Sequence, residues 1–415
     1  MYKFDRRRFL SASGLLLAGA SLPLVAGEAR ARAAGKNLIV VLNNGGWDPT
    51  YALDPKPGSS VIDAPDGEVT RYGELSVLTH DSRPAVAAFF ERFGSLCTIV
   101  NGVQVRSFVH SDCMKRVLTG TPSDSNPDFA AVAAYELGRE LPVPYLVLGN
   151  SALSGPLASI TARAGTTNQI SALLDPEKSL LAGEPAVAPT SGDDQRVRAY
   201  LEARAKRMQA TRGQRGANRR QLEAFFSSLD RQDLLRRFSK ETSGFGDQDY
   251  TPDLKVQIQV GSSALQGGLC RSVLMETQNW DTHQGNQQQS ELFNGLFAGL
   301  TELADTLEEK QLLEQTLVVV MSEMGRTPKL NESEGKDHWP VTSAMIFGGG
   351  APGGRVLGAT DDELNALSID LASGAATKDG LQLQTANLLS AVLELAGVDG
   401  QSHFPGVEPF HALLA

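Results

Sequence analysis

Apolar residues along this chain fall into short unbroken runs, separated by longer stretches where they recur every three or four positions. The first run, Asn37 to Leu42 (NLIVVL), is rich in β-branched side chains and closes on Asn43-Asn44-Gly45-Gly46. A run this short and this apolar predicts a strand covered on both faces. Similar runs recur at Cys97–Val100, Pro144–Leu148, Ser272–Met275, Thr316–Met321 and Ala344–Phe347. Between several of them lie helical patterns, at Arg83–Phe93, Phe129–Leu137, Ser290–Leu307 and Thr385–Ala396. Strands alternating with helices predict an α/β fold, a mostly parallel central sheet with helices on both faces.

Two regions break the rhythm. From Asp193 to Lys240 the chain is charged, rich in Arg and Gln and helix-favouring, with little apolar content before Leu222. It predicts a helical insertion at about 190–250, either a lid or contact surface or, the plainer alternative and the one preferred, a solvated helical pair. The glycines at Gly348–Gly350, Gly353 and Gly354 match no phosphate-binding pattern and fit a loop after a strand.

The other region is the N-terminus. Lys3, Arg6, Arg7 and Arg8 precede Phe9-Leu10, then a moderately apolar stretch from Ser11 to Ala26, then small residues at Ala29, Ala31 and Ala33. That order predicts a removed signal over residues 1–33, of the twin-arginine type, and a domain over 34–415. The expected partner in export is the twin-arginine translocase, and the expected destination the periplasm, the cell surface or the medium. Gly14, Gly19 and Pro23 interrupt an apolar run already short of the ~20 residues a span needs, so no stable membrane span is expected after removal. With 41% hydrophobic and 21% charged residues the remainder can form a large core, and a net charge of −10 argues against a nucleic-acid partner. Three cysteines, Cys97, Cys113 and Cys270, are too few for a disulfide framework; a Cys97–Cys113 bridge and buried free thiols are both open.

In open parallel sheets ligands gather at the carboxyl ends of strands. Just past the predicted strands stand Asp48, then Glu276, Asp281 and His283 in METQNWDTHQ, then Glu323 in MSEMGRTP; Asp337 and His338, in KDHWP, precede the strand at Ala344. Carboxylates with imidazoles suit a divalent metal ion: zinc, magnesium, manganese or calcium. Each residue taken singly also fits a helix cap, a turn or a local ion pair.

METQNWDTHQGN, TLVVVMSEMGRTP and HWPVTSAMIFGGG resemble, in order, three metal-site segments of the alkaline phosphatase superfamily. More narrowly, Gly-Gly-Trp-Asp, Trp-Asp-Thr-His, Ser-Glu-Met-Gly-Arg-Thr-Pro and Asp-His-Trp-Pro together resemble the DUF1501 family, whose members are exported. The resemblance implies an alkaline phosphatase-like three-layer sandwich. It implies one ion on Asp281, His283 and His338, a second on Asp48 and Glu323, and a third, magnesium-type position at Glu276. It places the nucleophile register on His110, with Ser111 adjacent. The departures are Met324 where a ligating histidine is expected, a short Asp281–His283 spacing, and no Ser or Thr squarely at the nucleophile position. Two functions follow as expectations. One is a metal-dependent hydrolase or transferase acting on phosphate or sulfate esters, small or polymeric, with Ser111, His110 and Arg326 (or Arg106) serving catalysis. The alternative is a non-catalytic periplasmic or surface protein that keeps the fold and binds a protein or polysaccharide.

Overall fold

Strand β1 (Asn37–Asn43) is buried along its whole length, and its alternation of side chains feeds two separate cores. Leu38, Val40 and Leu42 point into one, Ile39 and Val41 into the other. A strand has a side-chain period of two, so only a strand with helices on both sides uses apolar residues at every position. The first core is closed by α2 (His110–Thr119), α3 (Phe129–Gly138) and α8 (Thr385–Ala396). The second is closed by α1 (Pro84–Phe93), α6 (Leu254–Gln266) and α7 (Gln289–Glu309). Fully buried Phe89, Phe293 and Phe297 dominate it, each contributing roughly 1.5–3 kcal/mol by leaving water.

The chain is described here by a computed structural model over residues 35–163, 191–241 and 253–415. The central sheet adds β4 (Cys97–Gln104), β5 (Tyr145–Val147), β6 (Thr161–Arg163), β7 (Ser272–Thr277), β8 (Thr316–Ser322), β11 (Val341–Gly348) and β12 (Arg355–Leu357) to β1. Its order is β12-β4-β11-β8-β1-β7-β5-β6. All neighbours run parallel except β11, which is antiparallel to both β4 and β8. The α/β class and the mostly parallel sheet stand as expected. A hairpin of β2 (Glu68–Tyr72) and β3 (Leu75–Thr79), and a short pair β9 (Gly325–Arg326) and β10 (His338–Trp339), lie outside the sheet.

Each predicted strand and helix is present, with ends moved by a few residues. Pro84 opens α1 at its first turn, where a missing N–H costs nothing. The charged stretch forms α4 (Ser191–Thr211) and α5 (Gly216–Glu241), joined across their contact by Arg198 and Asp233. Gly348, Gly349 and Gly350 follow β11 with φ of 74°, 59° and 65°, a left-handed turn only glycine takes freely. Cys97, Cys113 and Cys270 are all buried free thiols, so the Cys97–Cys113 bridge does not form. Among the described residues no helix is long and apolar enough to cross a membrane. The signal expected at residues 1–33 lies outside the described residues, as does the part of the 190–250 segment beyond Glu241.

Candidate metal centre

The register of β1 with β7 and β8 sets Asn43 beside both Thr277 and Ser322, so three strands end at one edge. Two tryptophans then anchor the loops that leave it. Trp47 stacks on Phe293 of α7 at 5.9 Å between ring centroids, and Trp280 meets the same ring edge-on at 5.1 Å. Between strand and tryptophan, Gly45 and Gly46 take φ of 128° and 88°. A Cβ on Gly45 would lie 2.5 Å from the Asp281 nitrogen, and one on Gly46 2.8 Å from Met324 Cγ. The Gly-Gly pair is there because two loops and a core methionine meet with no room for side chains.

Four side chains converge at this edge: His110 from the first turn of α2, Asp281 and His283 from the loop after β7, and His338 from β10. His110, Asp281 and His338 offer ligand atoms that all lie within 4.8 Å of one another. His283 Nε2 stands 2.9 Å from His338 Nε2, and Asp281 Oδ1 is 3.2 Å from the first and 3.3 Å from the second. A tetrahedral ion with bonds of about 2.0–2.1 Å separates its ligands by about 3.3 Å, so this triangle has the dimensions of one face of such a site.

The far nitrogens of the three rings decide what the near ones can do. His338 Nδ1 lies 2.7 Å from the Phe108 carbonyl, which can only accept, so that nitrogen carries the hydrogen. His283 Nδ1 lies 3.0 Å from Asp337 Oδ1, and His110 Nδ1 2.8 Å from Glu323 Oε1. Each neutral ring therefore turns an Nε2 lone pair toward Asp281. Lone pairs 2.9 Å apart repel unless a proton or a metal cation sits between them. Acceptors behind each imidazole are how proteins fix metal-ligating histidines. His110 Nε2 is buried without a hydrogen-bond partner among the described residues, 3.5 Å from Asp281 Oδ2. The donor set fits a divalent ion.

Burial pushes the Asp281 carboxyl up, but the hydrogen bond and charge of Arg326, with His110 and His283, outweigh it and hold the group below its ordinary range. The Asp337 carboxyl is also lowered, first by its hydrogen bond with His283 and then by Asn331. The hydrogen bond to Glu323 raises the His110 imidazole, favouring a second proton on Nε2 that a cation at the centre would displace. Asp281 is half-exposed, as the solvent-facing member of the group.

The remaining expected site residues are engaged elsewhere. Asp48 is fully buried and accepts from Thr50 N, Thr50 Oγ1 and Asn286 Nδ2, with Lys336 Nζ at 2.8 Å. Glu276 is saturated by Asn150 N, Ser151 N, Ser151 Oγ, Asn44 Nδ2 and Gln278 Nε2, and so clamps the loop after β5 onto β7. Glu323 accepts from Gly45 N and Ser322 Oγ besides His110, which makes it the carboxylate behind an imidazole. Arg326 is fully buried; its guanidinium donates to the carbonyls of Gly45, Gly46, Trp280 and Lys336 and to Asp281 Oδ1 at 2.6 Å. It positions Asp281 and, with no exposed surface, is closed to a substrate. Ser111 is exposed on α2, one residue and about 100° of helix away from His110. Met324, with no exposed surface, belongs to the core. Lys336, the Phe108 carbonyl and the positioning role of Asp337 had no place among the expected site residues. Charge balance points to the first: several carboxylates gathered at one edge need a cation, and Lys336 directly precedes Asp337-His338.

No curated protein matches the chain. Solved structures that resemble it do so at low identity. The sulfatase PsFucS1 from Pseudoalteromonas sp. has a TM-score of 0.41 at 11% identity, over 93% of this chain and 73% of that one. A phosphonate monoester hydrolase from Silicibacter pomeroyi gives 0.39 at 10%, over 91% and 76%. A protein in the alkaline phosphatase superfamily from Vibrio parahaemolyticus gives 0.35 at 10%, over 96% and 76%. The loops that make the centre, from Gly45 to Trp339, all fall inside a match over residues 35–408 to the profile described as "Protein of unknown function (DUF1501)", and the chain belongs to that family.

Proposed function

We propose that the chain is an exported metal-dependent hydrolase or transferase of phosphate or sulfate esters, with one divalent ion held by Asp281, His283 and His338. The observation that carries this is the meeting of two Nε2 lone pairs and a carboxylate oxygen at 2.9–3.3 Å, each imidazole fixed from behind. One ion is favoured over two because Asp48, Glu276 and Glu323 are already satisfied by protein donors. Such an ion polarises an ester oxygen and lowers the pKa of a bound water.

The chain's own residues supply the rest. Glu323 keeps the His110 proton on Nδ1, so Nε2 faces the centre with a lone pair able to take a proton from water or a hydroxyl. Arg326 fixes Asp281 from the buried side. Export would follow the twin-arginine route read from residues 6–10.

The test is elemental analysis of the purified full chain, then assay against phosphate monoesters, phosphate diesters and sulfate esters. About one ion per chain and hydrolysis lost in Asp281→Ala and His338→Ala are expected. Hydrolysis unchanged in both variants would sink the assignment. An ion bound without any hydrolysis would favour the second function, a protein that keeps the centre to shape a binding surface; the burial of Arg326 and the turn of Ser111 about 100° of helix away from His110 speak for it.

A further inference from the structure

An ester of phosphate or sulfate brings oxygens beyond those that react, and a fixed arginine is a favoured partner for them. Neither cation buried at the centre is free for this. Arg326 is fully buried against four carbonyls and Asp281, and Lys336 is held on Asp48 with no exposed surface.

The loop from β4 to α2 carries another. It is stapled at two points to the segment bearing His338: Val105 N donates to the Pro340 carbonyl at 2.8 Å, and the Phe108 carbonyl accepts from His338 Nδ1 at 2.7 Å. Arg106 lies between the staples, four residues before His110. Its φ is 62°, a left-handed conformation that a side chain makes costly. Its side chain is exposed and, among the described residues, makes no hydrogen bond or ion pair. Backbone strain of this kind clusters at functional sites, and an exposed guanidinium without a polar partner is open to a ligand.

We propose that Arg106 binds the non-reacting oxygens of a tetrahedral oxyanion, phosphate or sulfate, presented to the ion at Asp281, His283 and His338. The inference rests on the function proposed above and adds the residue that recognises the anion. Arginine suits the task because its planar fork meets two oxygens at once.

The experiment is calorimetric titration of the metal-loaded full chain with inorganic phosphate and, separately, inorganic sulfate. The wild type is expected to bind at least one. Arg106→Ala and Arg106→Gly are expected to bind it at least tenfold more weakly, Arg106→Lys to keep part of the affinity, and all three to retain the ion. Arg106→Gly, with the left-handed backbone relieved, is expected to melt above Arg106→Ala. Wild-type binding that persists unchanged in Arg106→Ala overturns the assignment of Arg106 and leaves the proposed function standing. A wild type that holds its ion yet binds neither anion overturns both.

Discussion

Asp48 and Asp281 occupy like positions, each following a tryptophan that packs on Phe293, yet end in opposite states. Asp48 is sealed against Lys336 with neither side chain exposed, while Asp281 stands half in solvent beside three imidazoles. Neighbours rather than chain position set their roles. A third carboxylate gives a direct measure of such an environment. Asp128 caps α3 through Ala131 N at 2.7 Å, accepts from Leu153 N and Tyr145 Oη, and is wholly buried. Burial pushes its carboxyl up to about 6, with those hydrogen bonds pulling the other way. A raised carboxyl binds its proton more tightly folded than unfolded. Its contribution therefore favours folding fully below about pH 4 and is lost as pH rises through 6, a swing of up to about 3 kcal/mol. Urea midpoints of wild type and Asp128→Asn, compared between pH 4 and 7, are expected to show the wild type losing ground to the variant as pH rises. A gap that stays constant with pH would mean that Asp128 does not titrate there.

At the scale of elements, the strands and helices were legible because their signals are local. A short apolar run is visible within six residues or fewer, as Thr316–Met321 and Ala344–Phe347 show. The short pair β9 and β10 was not legible, since neither segment carries a pattern and their pairing depends on an eleven-residue excursion folding back. The same limit holds for the centre. Asp281, His283 and His338 could be nominated from strand ends, but the acceptor behind each ring comes from a segment far off in sequence, as with Phe108 for His338. The loop after β1 ties these elements together. Gly46→Ala would place a methyl 2.8 Å from Met324 Cγ and 3.3 Å from two nitrogens of Arg326, on a backbone of φ 88°. We expect a loss of about 1–3 kcal/mol and, because Arg326 orients Asp281, weaker ion binding. Urea denaturation and metal titration check the two effects. Full ion affinity in a destabilised variant would show that the loop does not support the centre.

For the whole molecule, Gly35–Ala415 is one compact unit with two cores divided by the sheet, and an ion at its edge is expected to act on the stability of all of it. A ligand that binds only the folded state adds about 2.7 kcal/mol at one hundred times its dissociation constant. Zinc or manganese is expected to raise the melting temperature by several degrees, reversibly with a chelator, and His283→Ala to abolish the rise. An identical melting temperature with and without chelator would argue against any bound ion.

The single reversed strand, β11, has a bearing on how such a protein is made. Because β11 runs against β4 and β8, its beginning rather than its end sits at the edge where the other strands finish, and that brings His338 within reach of His283. Residues that emerge from the ribosome more than two hundred positions apart must be threaded together before the cage exists. A nascent chain halted before β10 would carry His110, Asp281 and His283 but not His338, and so no closed ring of donors. Loading would then wait for nearly complete synthesis, in whichever compartment the sheet is finished.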